Sequence, residues 1–114
     1  MAQYGSFVHS PAPADPMALT PEYVRRLERH SAEVAELGGR IVTGFAFQPS
    51  TAARSVRGDV VTDGPPVVGG TDVISGFFVL DAPDLDTAVR IAQLNPATRD
   101  GGVEVRPLFT PPQP

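Results

Sequence analysis

The sequence predicts an α+β fold, one antiparallel sheet with two helices packed on one of its faces. Three observations predict it. Two stretches, 20–37 and 84–94, repeat apolar residues at helical spacing and open with helix start signals. Around and between them lie short β-rich runs punctuated by glycine and proline. One of these runs, 73–80, is apolar on both faces and marks a strand at the centre of a sheet, buried on both sides. The chain has 114 residues, enough for one domain with a modest core. Residues 1–108 are expected to form that domain and 109–114, rich in proline, a flexible tail.

Residues 3–9 read as the first strand, with Tyr4, Ser6 and Val8 on one face and Gly5, Phe7 and His9 on the other. Residues 10–19 hold three prolines and read as an irregular loop, long enough to cover a site. Thr20-Pro21-Glu22 then starts a helix: a hydroxyl N-cap, a proline in the first position and an acid in the first turn. Tyr23, Leu27, His30, Val34 and Leu37 form its inner stripe, Arg25, Arg26, Arg29, Glu33 and Glu36 its outer side, and Gly38-Gly39 stops it. Residues 40–47 read as a strand with Ile41, Thr43, Phe45 and Phe47 on one face. Val42, Gly44 and Ala46 lie on the other, where small side chains let a helix approach closely.

Gly58-Asp59 between 55–57 and 60–62 reads as a hairpin turn. Asp63-Gly64-Pro65-Pro66 breaks regular structure, because proline lacks the N–H and fixes φ. Asp84 is the N-cap of a second helix whose apolar stripe is Leu85, Ala88, Val89 and Ala92, and which Asn95-Pro96 ends. Residues 103–108 read as the last strand. The order β-α-β-β-β-β-α-β is that of a ferredoxin-like split βαβ arrangement with an added hairpin. Two helices can cover one face of such a sheet. Phe45, Phe47 and one of Phe77 or Phe78 remain on the other, and a bare patch of that kind predicts a second copy stacked sheet on sheet in a homodimer.

Composition excludes several kinds of chemistry. There is no cysteine, so no disulfide, thiolate nucleophile or cysteine metal site is available. All nine cationic side chains are arginines, so no lysine can form a Schiff base or act as a base. A net charge of −4 and a pI near 4.9 speak against a nucleic-acid binder. No apolar run has the length to span a bilayer, and no basic segment followed by an apolar one opens the chain. A cytoplasmic protein without membrane contact is expected. Gly69-Gly70 lacks the pattern of a phosphate loop, and no histidine spacing matches a metal site, so neither cofactor nor metal is expected.

His30 interrupts the apolar stripe of the first helix, where it would face the sheet. A histidine there can act as a general acid or base, or can simply be a satisfied half-buried group at the helix–sheet seam. Asp63 sits at the sharp corner after the hairpin, either as a partner for His30 in proton transfer or as a carboxylate holding the turn. His9, beside the proline loop, and Arg40, at a strand end, are candidate ligand contacts; each also reads as a solvated surface group. Phe47 and Gln48, where the second strand ends, join them as ligand contacts.

The chain resembles the YCII-related proteins, in particular their DGPF-domain subgroup, in four places. These are Asp63-Gly64-Pro65, Gln48-Pro49-Ser50, Gly76-Phe77-Phe78-Val79-Leu80-Asp81 and Gly102-Val103-Glu104-Val105-Arg106-Pro107-Leu108. The resemblance implies a dimeric α+β barrel with a cleft between helix and sheet. Relatives carry a helix-1 histidine paired with an aspartate. Here His30 stands about two positions out of register, and Leu37 and Gly38 occupy the place of the aspartate. Pro66 stands where the subgroup has phenylalanine, and Val67-Val68-Gly69-Gly70-Thr71-Asp72 replaces its acidic, lysine-bearing stretch. The subgroup's members lie near genes for extracytoplasmic-function sigma factors, which implies a signalling accessory role. Three functions follow: a small-ligand-binding or regulatory module, a lyase or isomerase using His30 and Asp63 for proton transfer, or a structural protein whose dimer face is its only function.

Overall fold

The structure, a computed structural model, describes residues 1–65 and 71–112. The expectations for Pro66 and for Gly69-Gly70 lie outside the described residues. Among the described residues six strands and two α-helices follow in the order β1 (Ala2–Pro11), α1 (Pro21–Glu36), β2 (Arg40–Ala46), β3 (Arg54–Arg57), β4 (Val60–Asp63), β5 (Asp72–Ala82), α2 (Leu85–Gln93) and β6 (Gly102–Pro107). The main sheet has the order β2-β5-β1-β6 with every pair antiparallel, which is the ferredoxin-like order. The strands β3 and β4 form a separate two-stranded hairpin turning at Gly58 and Asp59, with Gly58 in the left-handed region at φ 59°.

Local chemistry sets the helix limits. Thr20 accepts from the Tyr23 amide at 3.1 Å to cap α1, and Asp84 accepts from the Thr87 amide at 2.8 Å to cap α2. At the end of α1 the Gly39 amide reaches the Val34 carbonyl at 2.9 Å and the Gly38 amide the Ala35 carbonyl at 3.0 Å. That paired closure requires a left-handed residue, and Gly38 supplies it at φ 83°.

The core lies between one half of the sheet and the helices. Tyr4, Leu80 and Ala82 from the sheet meet Val34 from α1 and Ala88 and Ile91 from α2, with Phe78 and Val105 packed at its edge. Burying Leu80 and Ile91 stabilises by about 1.5–3 kcal/mol each. Two stripe assignments change. Leu37 closes α1 too late to reach the sheet and is exposed. In α2 the buried residues are Ala88, Ile91 and Ala92, while Leu85 and Val89 are exposed, so the stripe is rotated toward Ile91.

A register shift also changes one face of β2. Ile41 pairs with Leu80 and Thr43 with Val79, so Val42 is the extra residue of a bulge. Ile41 therefore shares the helix-side face with Leu80, not the face of Thr43 and Phe45. The far face of the sheet carries Phe7, Phe45, Phe47 and Phe77 in one contiguous group. Ring centroids are 5.1 Å apart for Phe7–Phe77, 6.1 Å for Phe45–Phe77 and 6.4 Å for Phe45–Phe47. Phe77 is thus the one of the pair on that face, and Phe78 turns to the helices.

Candidate functional site

The helix layer does not sit evenly on the sheet. The second half of α1 packs down through His30 and Val34, both buried. Beneath its first half the sheet offers Gly44, Ala46 and Gly76, which lack the bulk to meet it. A cavity of about 390 Å³ opens there, with those small residues in its floor and Tyr23, Leu27 and His30 in its helical wall. The small residues of β2 were expected to bring a helix close, and they leave room for a ligand instead.

The loop between β1 and α1 forms another side. Ala14, Asp15, Pro16 and Leu19 line the cavity, as expected of a cover. The loop is pinned at both ends of its bend: the Ala12 amide donates to the Thr71 carbonyl at 2.9 Å, and the Ser50 amide to the Pro13 carbonyl at 2.8 Å. Asp15 caps the short 3₁₀ turn Pro16–Ala18, its Oδ1 accepting from the Met17 amide at 2.9 Å.

His30 is 6 % exposed, and its Nε2 lies 2.8 Å from the Ile91 carbonyl in the last turn of α2. A carbonyl only accepts, so Nε2 carries the proton and Nδ1 is the basic nitrogen of the neutral ring. The imidazole thereby ties α1 to a carbonyl in the last turn of α2 that also accepts from the Leu94 amide at 3.2 Å. Tyr23 stands two turns before His30; burial first, then the Asp100 carboxylate, push its phenol above the ordinary value. The phenol is therefore neutral across the physiological range. Asn95, buried, also lines the cavity while its Oδ1 accepts from the Ala97 amide at 2.9 Å. A second register shift, between Val8 and His9, leaves Ser75 unpaired on β5. Ser75 lines the cavity beside Ser10, with the two hydroxyls 2.7 Å apart.

The other nominated residues lie elsewhere. Asp63, at the end of β4, is 90 % exposed in its side chain and pairs with Arg54 across the hairpin at 3.2 Å. It is not in the lining of the His30 cavity formed by the described residues. His9, Phe47 and Gln48 come together in a wider concavity of about 730 Å³, which Pro65, Asp72 and Ile74 also line. Arg40 lines neither. It binds the Asp81 carboxylate at 2.7 Å. Hydrogen bonds from Gln3 and then Arg40, its neighbours on the two flanking strands, hold the Asp81 carboxyl below its usual range. Sequence reasoning missed Asp15, Ser10, Ser75 and Asn95. Asp15 had a signal, an aspartate before proline in a loop already read as a cover. Ser75 had none, because its direction depends on a register shift.

Among the described residues no cluster of three or more His, Asp or Glu is placed to hold a metal ion, and no helix is long and apolar enough to cross a membrane.

Fold and site together define an α+β domain of ferredoxin-like topology with a mainly apolar cavity, carrying a few polar groups, between its first helix and its sheet. The profile of the YCII-related domain matches residues 9–110, most of the chain, and the chain belongs to that family. No curated protein matches it.

Proposed function

We propose that this protein binds a small organic molecule in the cavity under α1, without chemistry of its own, and works in the cytoplasm as a homodimeric accessory protein. The cavity carries the reading. Its volume of about 390 Å³ falls in the ~300–1,000 Å³ range of small-molecule sites. Its walls are mainly apolar, with a few polar groups turned to one space. Support for the homodimer comes from Phe45 and Phe47, 57 % and 44 % exposed within a continuous aromatic face. The accessory role rests on the likeness of the Asp63-Gly64-Pro65 corner to the DGPF subgroup.

A second reading, a lyase or isomerase, is favoured by one observation. The Ile91 carbonyl fixes the tautomer of His30 and leaves a basic Nδ1 on a ring that lines the cavity. The acidic residue that shares the cavity lining with it is Asp15, not Asp63.

Amide chemical shifts test the binding reading. A panel of ring-sized organic probes is expected to move the amides of Gly44, Ala46 and Gly76 together. Shifts confined to Phe47, Gln48 and Ile74, or none at millimolar probe, would reject it. Turnover of a bound probe, abolished in His30→Gln, would decide for the enzyme.

A further inference from the structure

We propose that the molecule this cavity takes is a compact amine, protonated at neutral pH and apolar in its body, and not a carboxylate or a phosphate. The inference rests on the reading of the cavity as a ligand site and names what that site selects.

Charge is the first ground. Asp15 lines the cavity, and among the described residues its carboxylate accepts only from the Met17 amide, through Oδ1, which leaves Oδ2 for a donor. Among the described residues the lining holds no arginine. Four of the nine arginines are tied up in ion pairs with Glu22, Asp81, Asp63 and Glu104. An anion in this cavity would meet a like charge with no fixed cation to offset it, in surroundings less screening than water. The Asp100 carboxylate near Tyr23 adds negative potential on the same side.

The polar groups are the second ground. Tyr23 keeps its proton, the Ser10 and Ser75 hydroxyls bond to each other, and with Nε2 of His30 donating to the Ile91 carbonyl, Nδ1 is the ring nitrogen left to accept. An ammonium group has three donors and no acceptor, which suits a carboxylate, a lone-pair nitrogen and hydroxyl oxygens. Val8, Leu27, Ile41 and Phe78 supply apolar wall for the rest of the molecule, and the volume limits it to a ring or a short chain.

Three probes with one body test the proposal: 2-phenylethylamine, 2-phenylethanol and 3-phenylpropionate. Each is titrated at pH 8 and low salt, by calorimetry with amide shifts recorded in parallel. At that pH an alkylamine, with an ordinary pKa of about 10, is charged. The amine is expected to bind about tenfold or more tighter than the carboxylate, the scale of a hydrogen bond to a charged group. In Asp15→Asn, which can still cap the Pro16–Ala18 turn, that preference is expected to fall to about threefold or less. Asp63→Asn, on the hairpin, should leave it unchanged. If the carboxylate binds as well as the amine, or if Asp15→Asn keeps the full preference, the proposal is wrong while the cavity remains a ligand site. If no probe moves the amides of Gly44, Ala46 and Gly76, the ligand-site reading itself fails and this inference falls with it.

Discussion

Replacing His30 by alanine removes the one side-chain tie described between α1 and the end of α2. Two losses add. The hydrogen bond from Nε2 to the Ile91 carbonyl contributes about 1 kcal/mol. Loss of a side chain only 6 % exposed adds about 2 kcal/mol, the low end of the range for emptying a core position, since the ring already borders open space. The Ile91 carbonyl is not orphaned, because it keeps the Leu94 amide at 3.2 Å, so no further penalty for an unpaired acceptor enters. The sum is about 3 kcal/mol, or ~12 °C in Tm for a domain of this size. His30→Gln retains a nitrogen donor of similar reach and should lose about half as much. Urea unfolding at one fixed protein concentration measures both, the concentration being held because the proposed dimerisation would add to apparent stability. If His30→Ala unfolds within about 0.5 kcal/mol of wild type, as a surface change would, the imidazole is not what joins the helices.

Three further outcomes are expected. A β-carbon at Gly101 would overlap the His9 carbonyl, a backbone atom with little freedom to move. Gly101→Ala should therefore destabilise by about 1–3 kcal/mol in the same urea assay, and an unchanged midpoint would contradict the strand-end packing described. Asp81 is held below the ordinary carboxylate range in the folded chain, so it binds fewer protons there than when unfolded. Its stabilisation is full above about pH 4 and is lost as pH falls through the lowered value. Arg40→Ala should shift the acid-unfolding midpoint upward, and Asp81→Asn should flatten that part of the profile; a midpoint indifferent to both would exclude the Gln3–Asp81–Arg40 link. Phe45→Asp should turn a dimer in sedimentation velocity into a monomer of intact fold, whereas a wild type that sediments as a monomer at micromolar concentration would rule out the sheet-on-sheet contact.

The fold was legible because its signals are local. Thr20-Pro21-Glu22, Gly38-Gly39, Gly58-Asp59 and Asp84 each act within one turn of chain, and the structure uses every one of them where the sequence placed it. His30 was legible as a sheet-facing side chain for the same reason, since helical periodicity alone directs it inward. Its hydrogen bond to Ile91, 61 residues on, was not, because no local pattern carries a contact across that separation. The two helix stripes were read one residue too far along at Leu37 and rotated at Leu85 and Val89, where apolar side chains continue past the width of the sheet that could bury them.

The site was harder to read because it depends on slips in strand register. A strand alternates faces with period two, so one extra residue reverses every assignment beyond it. The bulge at Val42 turns Ile41 to the helices while Thr43 and Phe45 stay on the open face. The shift between Val8 and His9 pairs His9 with Ile74 and leaves Ser75 to the cavity. Between these two slips lie Gly44, Ala46 and Gly76, three positions too small to reach α1. The cavity thus follows from side-chain bulk withheld at three places and strand phase changed at two. The site belongs to the sheet's irregularity, and Asp63, on a hairpin outside that sheet, lies outside the lining that the described residues give the His30 cavity.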